Sequence, residues 1–166
     1  NGSGKTTLMN MLSGIYHPDE GEIFIDGKET VINSPYDSSN CGIGMIHQHY
    51  KLVNVFTAYE NVITGAAKNK AAKLEAARIC DSYGLDIDLD KKIYNMSIGE
   101  KQSVEILKVL YRGARILILD EPTAVLTPQE TQILFSILRK MRQDGCAIII
   151  ITHKLNEVMS ISDRVT

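Results

Sequence analysis

Apolar and polar residues fall into segments of two periods along this chain. Glu22 to Asp26 alternates between Gly21 and Gly27, which predicts a strand after the Pro18–Gly21 turn. Gly42 to Ile46 predicts another short strand, reached through a helical stretch from Ser34-Pro35 to Asn40. Arg115–Asp120 and Cys146–Thr152 predict two more. The run Ile116-Leu117-Ile118-Leu119 does not alternate, which suits a parallel strand buried on both faces, and Cys146–Thr152 is expected to be buried likewise. Helical spacing marks Thr7–Ser13, where Leu8, Met9 and Leu12 are apolar and Gly14 is the stop. Thr57-Ala58-Tyr59-Glu60 and Ser97-Ile98-Gly99-Glu100 have the capping-box form, in which a hydroxyl and a carboxylate satisfy each other's free amides. The second opens a helix carrying Val104, Leu107, Leu110 and Tyr111. Between them Lys68–Tyr83 predicts a helix with Leu74, Ala77 and Ile79 apolar and Gly84 as its end. Thr127-Pro128-Gln129-Glu130 starts another, through Ile133, Leu134, Ile137, Leu138 and Met141 to Gly145. Strand and helix alternate, so the expected class is α/β with a mainly parallel sheet. The stretch from Lys51 to Asn95 is mostly helical and reads as an insert beside the sheet.

Composition narrows this little. The chain has 166 residues, 44% hydrophobic and 23% charged, which suits one soluble globular domain. The net charge of −2 gives no bulk attraction to nucleic acid or anionic lipid. No apolar run is long enough to span a bilayer. Cys41, Cys80 and Cys146 are widely spaced and form no C-x-x-C, so they read as buried free thiols in a reducing compartment.

Candidate chemistry sits at the ends of the elements. Asn1-Gly2-Ser3-Gly4-Lys5-Thr6-Thr7 carries the last three fixed positions of the phosphate-loop pattern G-x-x-x-x-G-K-[ST]. Glycines let backbone amides turn inward around phosphate oxygens, Lys5 can reach the outer phosphates, and the Thr6 hydroxyl can ligate Mg²⁺. The pattern's first Gly would lie two positions before Asn1. Asp120 and Glu121 end a buried strand, at the edge where open α/β sheets bind ligands. Asp120 suits a Mg²⁺ shell, and Glu121 can hold and deprotonate an attacking water. His153 ends the next strand, and the same edge places it near the terminal phosphate. Gln48 can accept from a water and coordinate a cation weakly; a plain polar loop also accounts for His47-Gln48-His49. Ser97 and Gly99 at a helix start form a second candidate anion site, although capping alone explains them locally.

This set resembles the nucleotide-binding domain of ABC (ATP-binding cassette) transporters. Asn1–Thr7 resembles its Walker A, Gln48 its Q-loop, Met96–Glu100 its signature and Ile116–Glu121 its Walker B with the catalytic Glu. Ala124–Thr127 resembles its D-loop and His153 its switch His. The resemblance implies a single cassette over 1–166, of RecA-like P-loop fold, with a helical subdomain at about 51–112. It implies ATP and Mg²⁺ as cofactors, with Thr6, Gln48 and Asp120 at the metal and Glu121, His153 and Gln48 catalytic. Ser97, Gly99 and Glu100 would then contact the ATP of a second cassette, in the same polypeptide or a homodimer. A transmembrane permease is the other implied partner, at the cytoplasmic face of the membrane, with no nucleic acid. Met45–Val53, Thr123–Glu130 and His153–Val158 resemble importers of simple sugars and nucleosides, and the first cassette of such proteins. Soluble ABC ATPases of DNA repair or translation, and regulatory cassettes with weak hydrolysis, are the alternatives. The signature here has Ile98 and Glu100 where Gly and Gln are common, the D-loop ends in Thr127 rather than Asp, and Ser103 stands where Arg is frequent. Family domains continue beyond both ends of this sequence, so the 166 residues alone are expected to be poorly active.

Overall fold

A computed structural model describes residues 4–48 and 50–166; the expectations for Asn1, Gly2, Ser3 and His49 lie outside them. In chain order the elements are α1 (Lys5–Leu12), β1 (Phe24–Ile25), β2 (Lys28–Glu29), α2 (Pro35–Asn40), β3 (Ile43–Ile46), α3 (Ala58–Val62), α4 (Lys70–Tyr83), α5 (Ile98–Tyr111), β4 (Ile116–Asp120), α6 (Pro128–Gln143), β5 (Ala147–Ile151) and α7 (Leu155–Ile161). The main sheet is parallel, in the order β3-β4-β5, with Ile46 opposite Leu119 and Asp120 opposite Ile151. All three strands therefore end on one edge. The other sheet is a small antiparallel hairpin of β1 and β2. The strand expected over 22–26 narrows to two residues, because the chain turns at Asp26 (φ 51°) and Gly27 (φ 75°) and pairs back on itself.

Period-two alternation sends β4 to both faces. Ile116 and Ile118 meet Met9 and Leu12 of α1, with Ile43 and Met45 of β3. Leu117 and Leu119 face the larger cluster formed by α3 to α6. Gly44 faces that side too, where a Cβ would lie 2.5 Å from Val109 Cγ1, so a glycine lets α5 approach the sheet. Each fully buried Leu or Ile contributes roughly 1.5–3 kcal/mol.

The three expected capping boxes form, at Thr57/Glu60, Ser97/Glu100 and Thr127/Glu130. Two of the apolar positions named above lie outside, and the expected burial of one strand is corrected. The buried stripe of α4 is Ala72, Ala76 and Cys80, spaced by four, while Leu74 is exposed. Ile133 of α6 is exposed as well. β5 is less buried than expected: Ile148 and Ile150 pack on the large cluster and Ile151 is buried, but Ala147 and Ile149 are exposed, and among the described residues no strand pairs its outer edge. The three cysteines are free; Cys80 is buried, the others half-buried, and burial pushes the Cys80 thiol up to about 11.

Candidate nucleotide site

The carboxyl edge of the sheet is built around a bend at Glu121. β4 runs apolar to Leu119, places Asp120 half-buried at its end, and then turns through Glu121 at φ 49°. A non-glycine residue in this left-handed region is strained and marks a position that the surroundings hold by force. What holds it is β5. The Glu121 amide donates to the Ile151 carbonyl at 2.9 Å, so the ladder continues one residue past the strand. The side chain is thereby aimed at the end of β5, where its Oε1 lies 3.0 Å from His153 Nδ1. Glu121 is mostly buried, with 26% of its side chain exposed, whereas His153 is 73% exposed. When Nδ1 carries the proton, the ring donates to the carboxylate and fixes its rotamer, leaving Nε2 outward.

A second set of contacts locks the loops beyond these residues. Thr123 Oγ1 donates to Glu157 Oε2 at 2.6 Å. Lys154 Nζ donates to the Thr123 carbonyl at 2.8 Å and pairs with Glu157 Oε1 at 3.2 Å. The turn after Glu121 is thus tied to the start of α7, immediately after His153. These residues were not among the sequence candidates. The only local trace is the Lys154/Glu157 pair at i,i+3 on the opening turn of α7.

β3 delivers His47 and Gln48 to the same edge. Gln48 is exposed; His47 is half-buried, and desolvation, with Lys51 next, holds its imidazole below the ordinary range. The loop is anchored by Glu105 of α5, whose buried carboxylate accepts the Lys51 amide at 2.7 Å and meets Lys108 Nζ at 3.3 Å. A charged residue between Val104 and Ile106 on an apolar helix is the sequence signal that could have found Glu105.

α1 points its amino end at this edge. Its carboxyl end lies by α2, where the Leu12 carbonyl accepts from Ser38 Oγ at 2.8 Å and Gly14 backs against the Ser34 carbonyl. α2 leads into the start of β3, so the far end of α1 lies toward the strands' carboxyl ends. There Gly4 caps the helix at φ 74°, and Lys5, Thr6 and Thr7 are exposed. Amides at such a helix start attract anions.

Ser97, Gly99 and Glu100 lie elsewhere. Ser97 and Glu100 cap α5 reciprocally, at 2.7 and 3.2 Å, and Glu100 pairs with Lys91 at 2.6 Å. Lys91, then the Ser97 amide, hold the Glu100 carboxyl below the usual range. Any side chain at Gly99 would strike the Glu130 carboxylate. Among the described residues no hydrogen bond or ion pair joins this helix start to Gln48, Asp120, Glu121 or His153. The structure therefore brings Glu121 and His153 into contact, puts Asp120 and Gln48 on their edge, and leaves Ser97, Gly99 and Glu100 apart.

Among the described residues no cluster of His, Cys, Asp or Glu could enclose a metal by itself. The Thr6 hydroxyl, Asp120 carboxylate and Gln48 amide are hard oxygen donors. Such a sparse set fits Mg²⁺, which keeps waters and shares substrate phosphates rather than filling a protein cage.

The family model described as ABC transporter matches residues 1–124. The nucleoside import ATP-binding protein NupA of Lactococcus lactis subsp. cremoris (strain MG1363) is 49% identical over 173 residues, covering 100% of this chain and 34% of that protein. The guanosine import ATP-binding protein NupO of Bacillus subtilis (strain 168) is 50% identical over 173 residues, with the same coverage of 100% and 34%. The chain thus spans about a third of the length of these relatives. Among solved structures, the ADP conformation of MJ1267, an ATP-binding cassette of an ABC transporter, superposes with a TM-score of 0.86 at 26% identity, over 98% of this chain and 71% of that one.

Proposed function

This chain belongs to the ABC transporter family, and from that premise we propose that it is part of an ATP-hydrolysing subunit that drives import of a small solute through a membrane permease. The observation that carries the reading is the Glu121–His153 pair at the carboxyl edge, 3.0 Å apart. ATP is the substrate. Gly4, Lys5, Thr6 and Thr7, together with Asn1, Gly2 and Ser3, hold its phosphates. Asp120, Thr6 and Gln48 would hold Mg²⁺, which would neutralise phosphate charge there. Glu121 accepts the proton of the attacking water as its oxygen bonds to the terminal phosphorus and the bond to the leaving diphosphate breaks. His153 positions that carboxylate, and the strained backbone at Glu121 means that the orientation is set before substrate arrives.

The helix start at Ser97 and Gly99 stands apart from this edge, so it serves a second nucleotide, on the phosphate loop of another cassette. Residues 51–112 form the helical subdomain that carries it. The subunit works at the cytoplasmic face of the membrane; among the described residues no helix is long and apolar enough to cross one. The solute is of the sugar or nucleoside class, and the names of NupA and NupO favour a nucleoside. The test is Mg-ATP binding and phosphate release by the full-length protein, with and without its permease in vesicles. Saturable binding with hydrolysis is expected; absence of both with folded protein would overturn the reading.

A further inference from the structure

The loops that carry Glu121 and His153 are tied together a second time, just beyond those residues. Thr123 is 1% exposed. Its hydroxyl donates to Glu157 Oε2 at 2.6 Å, and its carbonyl accepts from Lys154 Nζ at 2.8 Å. Lys154 Nζ also meets Glu157 Oε1 at 3.2 Å, which closes the triangle. One ammonium and one carboxylate thus take both polar groups of a single buried threonine. Hydrogen bonds to ionised groups are roughly twice as strong as neutral ones. Water competes little for Glu157, whose side chain is 15% exposed. Thr123 lies inside the turn that bends the chain, since the Ala124 amide donates to the Glu121 carbonyl at 3.2 Å. On the other loop the Lys154 amide donates to Thr152 Oγ1 at 3.1 Å, so the chain is held on both sides of His153.

We propose that Lys154 and Glu157 are positioning residues for ATP hydrolysis, acting through Thr123 on Glu121; this rests on the ATPase reading given above. A non-glycine residue at φ 49° persists only where its surroundings over-determine it. The bond from the Glu121 amide to Ile151 fixes the near end of the bend, and Thr123 fixes the far end. Released from Lys154 and Glu157, the turn relaxes by rotating about Glu121 and carries the carboxylate away from His153. Neither Lys154 nor Glu157 has to touch nucleotide for this. A tie that served only to hold α7 would cost stability and leave the rate of the bound complex alone. A tie that aims Glu121 costs rate, and only while Glu121 is there to be aimed.

The test measures Mg-ATP affinity and single-turnover hydrolysis on the full-length protein. Lys154→Met keeps the length of the side chain and removes its charge, at a position exposed enough to tolerate the change. Thr123→Val keeps the buried shape and removes the hydroxyl, and Thr123→Ser keeps the hydroxyl. Lys154→Met and Thr123→Val are each expected to lower the hydrolysis rate about 10- to 100-fold, the scale of a misplaced catalytic group, with ATP affinity within about twofold of the parent. Thr123→Ser should recover most of the rate. Residues that act as one unit are not additive, so Lys154→Met in a Glu121→Gln background should lower the remaining rate by less than about twofold. An unchanged rate in Lys154→Met, a loss of ATP affinity matching the loss of rate, or the same loss in the Glu121→Gln background would overturn the proposal while leaving Glu121 as the base. Full hydrolysis by Glu121→Gln alone would instead overturn the reading on which the proposal rests, and the proposal with it.

Discussion

At the scale of single residues, the site is decided by one backbone angle. Glu121 at φ 49° is held where only glycine is at ease, at a cost of about 1–3 kcal/mol. Glu121→Gly should relieve that strain and leave the fold as stable or up to about 1 kcal/mol more stable, yet abolish hydrolysis. Urea unfolding read beside turnover checks this, and a clear loss of stability would mean that the carboxylate is structural. The acids at the end of β4 and the histidine at the end of β5 were legible in the sequence, because an apolar parallel strand that stops at a charged residue names its own edge. The bend itself was not legible, since nothing in Leu119-Asp120-Glu121-Pro122 spells a positive φ. Nor was the Thr123–Glu157–Lys154 lock, whose partners lie 34 and 31 residues from Thr123. The structural facts at Asn1, Gly2 and Ser3 lie outside the described residues, so the phosphate loop rests on sequence for those positions.

At the scale of elements, the helix starts were the most legible features, because a capping box is local chemistry within four residues. Glu60 in the first box is half-buried, and its carboxyl is held down at about 2, first by the Thr57 amide and then by Lys68. A folded value below the ordinary 4.5 means that its contribution is present above pH 4.5 and is lost as pH falls toward 2. Glu60→Gln should therefore be less stable than the parent at pH 7, with the difference shrinking between pH 4.5 and pH 2; a constant difference in Tm would exclude the ionised cap. Packing faces were less legible. The apolar pattern of α4 drew attention to Leu74, but the surface against α5 and α6 is so close that Ala72, Ala76 and Cys80 fill it and Leu74 is left outside. The same closeness governs Gly44, where a methyl would meet Val109 at 2.5 Å. Gly44→Ala should cost about 1–3 kcal/mol of overpacking, read from the urea midpoint, and an unchanged midpoint would contradict the packing of α5 on β3.

At the scale of the whole molecule, the helix starts at Lys5 and Ser97 stand apart, and we propose that the second serves the nucleotide of another cassette. That proposal comes from the order of motifs through the family resemblance, whereas composition and periodicity alone left Ser97 and Gly99 as ordinary caps. Ser97→Arg, which puts a bulky cation at the start of α5, should leave Mg-ATP affinity of the full-length protein within about twofold while blocking ATP-driven closure against a partner cassette; loss of nucleotide binding itself would contradict an action in trans. The central claim is narrower: Glu121 is the base, and the carboxyl edge is where ATP is cleaved. Its most direct test is the single-turnover rate of ATP hydrolysis by full-length Glu121→Gln with binding measured on the same sample. The amide keeps the shape and cannot take the proton, so the rate should fall by about 10² to 10⁴ while ATP remains bound; an unchanged rate would remove Glu121 from that role and the account with it.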